Sequence, residues 1–568
     1  MQIDCGGRRV NRRRKGGTLR RTSARWEGEE EERISGERFP SLFDVLAKIE
    51  QSARFMGQII WIMGVFGVVL VQLHAQPTTT NQAANVVVRP ISLEESVQLA
   101  LQHNLGLQIE RLAPQMARFD LAGSYSYYDP AFTFRGEQNF RSSPGGFNST
   151  INVQTPPNDT WTEHFNAAVG GYTPTGMRYD LAADLTRTSG TFPAVDTNGF
   201  FTIVNRGFQY RPDVGVNITQ PLLRNSWTDI SRTAIKVNKQ LVRIADYLFQ
   251  FQVMDAINRV QQAYFDLVFA QENIKVQEKA LELAQRLLDE NKKRVEIGTL
   301  APLDEKQSES QRASALADLI AARNTYGGAQ NVLKSLITDK YTDWHGLRLE
   351  PTEKLLALPE SFNLVDSWNK ALTTRPDYKQ LKEELERQNI ILKYDYNQLF
   401  PELDLIGSVG RSGLAGTLGD SVEQIRGGDF PRWGGGAVLT VPFTFRKERN
   451  VYQRDKAAQK QALLNFKQLE ETILVQVDDS MANAQSAFQR IQATREAREF
   501  AEAALQAEQT KLENGKSTTF VVLQLQSNLT KARGEEIRAL SDYQKALANF
   551  YFREGTTLER NKIIVTPQ

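Results

Sequence analysis

The segment that comes nearest to a nucleotide-binding motif is Gly515-Lys516-Ser517-Thr518, which has the residue order found at the end of a phosphate-binding loop. In such a loop the lysine and the hydroxyl contact phosphate oxygens and magnesium, and another glycine stands five positions earlier. Here that position is Thr510, and a long glycine-free stretch typical of helix precedes it instead of a strand. The sequence therefore predicts no nucleotide site.

The other residue types that carry chemistry are scattered. Cys5 is the single cysteine, which excludes a disulfide framework, a CxxC redox pair and a cysteine-based zinc site. His103, His164 and His345 have no carboxylate or second histidine at ligand spacing. No Gly-x-Ser-x-Gly elbow and no Cys–His pair suggests a nucleophile. We therefore predict a protein that is not an enzyme and that has no metal and no cofactor.

Composition narrows the class further. The chain has 568 residues, of which 40% are apolar and 24% charged, so it is neither disordered nor a multi-span helical membrane protein. Residues 76–568 carry 56 basic and 58 acidic side chains, a net charge of −2. A balance this even gives no general attraction to nucleic acid.

The N-terminal region differs from the rest of the chain. Residues 1–54 carry 13 basic and 9 acidic side chains, which indicates a disordered extension or a mis-assigned start with Met56 as the true beginning. Phe55–Ala75 contains no Asp, Glu, Lys or Arg, and its apolar core is short of the roughly 20 residues that span a bilayer. We therefore predict a signal peptide at 55–75, cleaved after Ala75.

The remainder is a tandem repeat. Leu93–Leu101 resembles Leu364–Leu372 at an offset of 271 residues, and the same offset joins Pro130 to Pro401. Further matches join Gln220-Pro221-Leu222 to Val441-Pro442-Phe443, and Gly298 to Gly515. We expect a first repeat at 76–345, and a second repeat with a C-terminal segment at 346–568.

Each repeat contains an unusually long helical stretch. Residues 222–297 and 443–514 contain neither glycine nor proline. About 70 helical residues extend on the order of 105 Å. Apolar residues recur at steps of three and four, which is typical of packed or coiled helices: Val253, Ile257, Val260, Tyr264 and Leu267, and again Met481, Ala484, Phe488 and Ile491. Helices of this length indicate a stalk or a tube.

The middle of each repeat has the alternation of β-strands. Apolar and polar residues alternate in Tyr179–Thr186, Val214–Ile218, Leu403–Val409 and Ala437–Phe443. Aromatic residues near the ends of such strands are typical of a membrane β-barrel. A soluble, half-buried sheet would give the same alternation in any one strand. Ser142–Thr160 and Gly410–Gly428 are expected to be exposed loops.

Four strands are too few to close a barrel, and an open sheet edge is unstable in lipid. We therefore expect each chain to contribute four strands to an oligomeric barrel that continues into a helical tube. The first repeat has two further alternating runs, Phe165–Gly170 and Tyr179–Thr188, which we expect to extend its hairpin outside the membrane.

In this order of elements the chain resembles the TolC family of outer-membrane ducts over most of 91–555. The features that carry the resemblance are the paired entry helices with Arg375-Pro376-Asp377, the two Pro-hydrophobic strand ends and the two glycine turns. The resemblance implies a homotrimer with a 12-stranded outer-membrane barrel and a long periplasmic helical barrel. It also implies a mixed equatorial region from about 329–365 and the residues after Phe552.

In that family the helix–turn–helix tips close the tunnel and dock on a periplasmic adaptor. The resemblance assigns these roles to Gly298, Thr299 and Leu300 and to Gly515, Lys516 and Ser517. The partners implied are this adaptor, an inner-membrane pump and outer-membrane lipid.

Many members narrow the entrance with aspartates six and nine residues after the second tip glycine. This chain departs from the pattern with Val521 and Gln524, whereas the first tip has Asp304 and Gln307 at the equivalent positions. These four residues are the candidate gate, and Asp304 is the candidate for a carboxylate ring. The alternative is that Asp304 only stabilises the start of the returning helix, where an acid interacts favourably with the helix dipole.

The sequence thus favours a passive outer-membrane duct of a tripartite efflux or type I secretion system. The alternative is a structural or adhesive coiled-coil stalk anchored in the outer membrane, which the helical periodicity supports equally. A duct needs a hydrophilic helical surface toward its lumen, and polar residues such as Gln476, Asp479 and Asn483 are available for it.

Overall fold

The computed structural model describes residues 87–148, 153–154, 156–195 and 201–565. The predicted N-terminal extension and signal peptide lie outside these residues.

The first repeat begins with a strand and two helices and continues through a strand-rich middle into a helical hairpin. Its strands are β1 (Val87–Ile91), β2 (Ala131–Ser143), β3 (Phe147–Asn148), β4 (Val153–Gln154), β5 (Asn158–Tyr172), β6 (Arg178–Val195) and β7 (Phe201–Pro221). Its helices are α1 (Leu93–His103), α2 (Leu105–Ser124), α3 (Ile230–Glu296) and α4 (Pro302–Ile337), and a 3-10 turn covers Tyr125–Tyr128.

The second repeat has a similar order but contains no counterpart of β5 and β6 among the residues that the structure describes. After α5 (Tyr341–Trp344) and β8 (Leu347–Pro351) come α6 (Leu364–Thr374), α7 (Pro376–Asn397), β9 (Glu402–Ser412), α8 (Leu418–Gly427) and β10 (Pro431–Thr440). The chain ends with α9 (Arg446–Glu513), α10 (Thr519–Glu554) and α11 (Thr557–Arg560). β10 ends before Pro442, earlier than the alternation predicts, and proline has no N–H to donate to a strand partner.

Several helices of the two halves correspond in length and spacing. α1 and α6 begin 271 residues apart and each has 11 residues, while α4 and α10 each have 36. The junctions that follow α1 and α6 are also equivalent. Asn104 donates to the Leu336 carbonyl (2.9 Å), and Arg375 donates to the Arg553 carbonyl (3.2 Å) and forms a bidentate pair with Asp377. Both side chains tie a short helix pair to the long returning helix of their own repeat.

The two long helices are confirmed, with 67 residues in α3 and 68 in α9. At a rise of ~1.5 Å per residue each extends about 100 Å. The predicted stripe from Val253 to Leu267 is buried at all five positions against α4 and the β1–β8 region, and Met481, Ala484 and Ile491 are buried on α9. α3 begins at Ile230 rather than near residue 222, because Asn225 and Trp227 have left-handed backbone conformations (φ 62° and 56°).

The strand-rich middles form one antiparallel sheet in the order β10-β9-β7-β6-β5-β2. This sheet has six strands, two more than the four expected from each chain for the barrel. β5 and β6, expected to extend a hairpin outside the membrane, instead lie between β2 and β7 and pair with both along their length. The predicted loop Gly410–Gly428 also contains helix α8, whose first turn is capped by the Thr417 hydroxyl oxygen, which accepts from the backbone N–H of Asp420.

Strand β8 lies within the predicted equatorial region and forms a small parallel sheet with β1, which lies outside the residues predicted for that region. Three side chains hold its backbone against the helices: Tyr264 donates to the Ile91 carbonyl (3.2 Å), Gln330 to the Leu349 carbonyl (3.3 Å) and Lys334 to the Leu347 carbonyl (2.6 Å). Across the part of the chain that the structure describes, no helix combines the length and apolarity needed to cross a membrane.

Candidate functional site

The six-stranded sheet has an apolar face. Residues that are paired across antiparallel strands point to the same side of a sheet. The register therefore joins Phe132 on β2 to Val169, Leu181, Val216, Val409 and Trp433 on successive strands. The same face carries further apolar residues on every strand: Phe134, Phe140, Trp161, Phe165, Leu185, Val214, Ile218, Leu405 and Leu439. Phe132 is 69% exposed and Trp433 86%, so this face is uncovered in a single chain.

Aromatic and charged groups border the apolar face. Phe140 and Trp161 pack with their ring centroids 4.5 Å apart. Beside them Glu163 and Arg187 form an ion pair, and the Arg187 guanidinium lies 4.8 Å from the centre of the Phe208 ring. A band of apolar side chains bordered by aromatic rings is the arrangement that contacts lipid in an outer-membrane barrel.

The opposite face of the sheet is polar. Asn166 donates to Asp184 (2.7 Å), and His164 Nε2 lies 3.3 Å from the same carboxylate. Arg432 on β10 forms an ion pair with Asp213 on β7, across the intervening strand β9. The fold places His164 half-buried beside a carboxylate twenty positions away in the sequence. The polar face has the character of a water-filled lumen.

The tip between α3 and α4 has the geometry predicted for a glycine turn. Gly298 has φ +79°, which an L side chain rarely adopts. Its N–H donates to the Val295 carbonyl (2.9 Å), and the N–H of Thr299 donates to the Arg294 carbonyl (2.8 Å). This pair of bonds is the Schellman motif, which satisfies the last carbonyls of a helix.

The tip between α9 and α10 repeats this geometry. Gly515 has φ +70°, and the N–H of Lys516 donates to the Lys511 carbonyl (2.8 Å). Here side chains fasten the turn as well. Ser517 donates to Glu508 (2.6 Å), and Lys511, at 2.8 Å, lowers the pKa of the Glu508 carboxyl through its hydrogen bond.

The two tips lie at the same end of the molecule. Leu287 of α3 is buried in one cluster with Leu505 and Leu512 of α9 and Val522 of α10. The tip candidates Gly298, Thr299, Gly515 and Lys516 are exposed, while Leu300 and Ser517 are half-buried.

The four gate candidates occupy the first turns of the returning helices. Asp304 is half-buried, and its carbonyl accepts from the Ser308 hydroxyl (2.9 Å). Gln307 is half-buried, Val521 is 38% exposed, and Gln524 is exposed and donates to Asn528 (3.2 Å). The structure brings the four residues to one end of the bundle. Whether they line a constriction depends on neighbouring copies, so the gate stays a prediction.

The sheet as a whole has one face suited to lipid and one suited to water. In the residues that the structure describes, no group of three or more His, Cys, Asp or Glu side chains is placed to hold a metal ion. The segment Lys516-Ser517-Thr518 lies in the turn between helices α9 and α10, whereas a phosphate-binding loop joins a strand to a helix.

A family model for outer membrane efflux proteins matches residues 184–338 and 368–555, which together are more than half of the chain. The chain belongs to the outer membrane efflux protein family. This confirms the resemblance inferred from the sequence. It also confirms the outer membrane as the location, with the helical part in the periplasm. The family consists of channels and is not a family of enzymes.

Individual relatives support this membership. This efflux protein is 23% identical to outer membrane protein TolC of Escherichia coli strain K12 over 385 residues, which cover 65% of this chain and 76% of that one. It is 30% identical to TolC of Vibrio cholerae serotype O1 over 129 residues, a match that spans 22% of this chain and only 28% of the relative. The solved structure of the outer-membrane channel OprN is similar with a TM-score of 0.59 at 17% identity, covering 82% of this chain and 89% of that chain.

Two features of the efflux protein escaped sequence reasoning. The strands β5 and β6 gave a clear alternation, but alternation does not say which strands are neighbours. The pairing of Asp395 on α7 with Asp455 on α9 gave no sequence signal, because the two carboxylates are sixty positions apart and meet only through helix packing.

Proposed function

We propose that the protein is a passive duct of a tripartite efflux or type I secretion system, which conducts substrates from an inner-membrane pump across the periplasm and outer membrane. The observation that carries this proposal is an amphipathic sheet joined directly to two helical hairpins, each built on a helix of about 100 Å by its rise per residue. The sheet supplies a lipid-facing surface and a polar one, and the helices supply the length needed to cross the periplasm. A sequence without a nucleotide or catalytic motif fits a duct whose energy comes from its partner.

A homotrimer is part of this proposal. A single sheet of six strands has two open edges, β2 and β10, and open edges are unstable in lipid. Helix α2 also has an exposed apolar stripe at helical spacing: Leu105, Ile109, Leu112, Met116 and Phe119. Neighbouring copies of the same chain would cover both the edges and the stripe.

The helical tips are the proposed contact with a periplasmic adaptor. Apolar side chains stand exposed around both turns, with Ile297 at 77%, Leu303 at 66% and Phe520 at 62%. Exposed apolar groups beside rigid turns are suited to protein contacts. The proposed gate is the ring of Asp304 side chains that three copies would bring together.

The proposed organisation keeps the two repeats at 76–345 and 346–568, after a signal peptide at 55–75. The stalk is not retained as an alternative, because the family to which the chain belongs consists of channels.

Deletion of the gene in a host with a known set of pumps tests the transport proposal. Cells without the duct should accumulate more of a pumped dye, drug or metal, and a plasmid copy should restore export. Unchanged accumulation across a broad panel, together with unchanged secretion of type I substrates, would contradict the proposal.

A further inference from the structure

The first repeat contains two strands that have no counterpart in the second. The repeat relates β2 to β9 and β7 to β10, since Pro130 and Pro401 precede the first pair and Pro221 and Pro442 lie at the ends of the second. The hairpin β5–β6 remains unmatched. It has strands of 15 and 18 residues, long enough to run the full height of the sheet.

The hairpin is a full part of the sheet. β5 pairs with β2 without interruption from Ala131↔Gly170 to Ser143↔Asn158, and β6 pairs with β7 from Arg178↔Thr219 to Val195↔Phe201 with one irregularity near Gly190. The two faces also continue across it. Phe165 and Leu185 lie on the apolar face, and Asn166 and Asp184 on the polar face.

The turn of the hairpin is anchored where the sheet meets the helices. Gln220 at the end of β7 donates to the Thr175 carbonyl (3.3 Å), and Tyr172 stacks on Tyr127 with ring centroids 4.5 Å apart. Gly176 has φ +85° and approaches the Asn225 carbonyl so closely that a Cβ would lie 3.0 Å from it. These contacts place the turn of the hairpin at the junction of sheet and helices, as expected for strands that form part of the barrel wall.

We propose that the outer-membrane barrel of this protein has 18 strands, six from each of three chains, rather than 12. The inference rests on the proposed homotrimer. With six strands in alternating directions, the edges β2 and β10 run in opposite directions, so the β10 of one copy pairs antiparallel with the β2 of the next. The occupant of each free edge is therefore a second copy of this chain.

The extra strands change the bore of the exit. With strands ~4.8 Å apart and tilted by about 40°, a barrel of 12 strands has a backbone radius of roughly 12 Å and one of 18 strands roughly 18 Å. Twelve long helices spaced by ~10 Å form a ring of roughly 19 Å radius. The wider barrel therefore continues the helical tube without a taper. Its width is that of the porins that leave an aqueous channel. The size limit for cargo would then lie at the periplasmic tips and not at the exit.

Electron microscopy of the detergent-purified full chain, viewed along the threefold axis, measures the barrel. The variant lacking residues 158–195 is the matched control. Without the hairpin, β2 and β7 remain antiparallel, and their apolar side chains still lie on the same face. The expected backbone diameters are about 36 Å for the full chain and about 24 Å for the deletion. A trimer of the full chain with the narrower barrel would overturn the inference but leave the duct intact. A full chain that forms no hollow trimer would overturn the proposed function itself.

Thiol labelling provides a test that does not need the deletion to fold. In a Cys5→Ser background, Leu185→Cys and Thr186→Cys place adjacent thiols on the apolar and polar faces of β6. In intact outer membranes a membrane-impermeant maleimide should label Thr186→Cys and spare Leu185→Cys, and both should react after denaturation. Equal labelling of the two in membranes would show that the hairpin lies outside the barrel wall.

Discussion

A buried pair of carboxylates should make the stability of this protein depend on pH in an unusual direction. Asp395 on α7 is only 6% exposed, and one of its oxygens has no hydrogen-bond partner. Burial and the neighbouring Asp455 raise the pKa of Asp395 to about 7. Asp455 is held ionised by Arg454, which forms a bidentate pair with it (2.7 and 2.9 Å) and lowers its pKa.

Proton linkage determines how the free energy of unfolding changes with pH. Below about pH 4 Asp395 is protonated in both the folded and unfolded chain, so it has no effect on stability. Between about pH 4 and 7 the folded chain keeps a proton that the unfolded chain has lost, and stability falls as pH rises. A shift from the ordinary 3.8 to about 7 corresponds to about 4 kcal/mol at pH 8.

Asp395→Asn removes this cost, since the amide is neutral at every pH and can donate to Asp455. Thermal unfolding of the purified protein should show the variant more stable than the wild type by about 2–4 kcal/mol at pH 8, with the difference vanishing near pH 4. Asp455→Asn tests the pair from the other side. It removes the like charge beside Asp395, so the pKa of Asp395 should fall toward its ordinary value and stability should decline less between pH 4 and 8 than in the wild type. A variant Asp395→Asn that is no more stable than the wild type at pH 8 would refute the reasoning.

Three further perturbations probe the tips. Asp304→Ala should change the conductance or cation preference of the reconstituted channel if this residue lines the constriction, with a stability change of only about 0.3–1 kcal/mol; identical conductance and selectivity would remove it from the gate. Gly515→Ala should lower the free energy of unfolding by about 1 kcal/mol, because the φ of +70° at this position disfavours a side chain. The added Cβ would have no atom within 4 Å, so the cost comes from the backbone alone. An unchanged melting temperature would contradict a rigid left-handed turn. Asn291→Ala should cost about 1–3 kcal/mol, because it breaks a buried 2.7 Å hydrogen bond to Ser308 that joins the two helices of the first hairpin. Asn514→Ala, at an exposed position, is the comparison and should be nearly neutral. An equal loss of stability in the two variants would show that the buried hydrogen bond contributes no more than an exposed one.

The helical architecture could be predicted from the sequence because its signals are local. Gly298 and Gly515 mark the tips, since a helix that ends in a Schellman motif needs a residue with positive φ. The stripe through Val253, Val260 and Leu267 follows from the helical period. The repeat of Pro130 and Pro401 located the starts of β2 and β9.

The rest depends on long-range pairing. The alternation around Phe165 and Leu185 is compatible with any half-buried sheet, and only the register shows that these strands lie between β2 and β7. Helix α8 lies in a glycine-rich segment whose composition favours a loop, and its cap at Thr417 is a weak signal by itself. The early break at Asn225 and Trp227 interrupts a stretch with no glycine or proline, because the chain must turn from the sheet into α3.

We propose that copies of this chain enclose a continuous conduit. Electron-microscopy class averages of the detergent-purified chain, residues 76–568, test this proposal. We expect a hollow threefold particle in which a barrel continues into a tube of roughly 100 Å, the length set by the helix rise. A solid rod, or a monomer without a lumen, would contradict it.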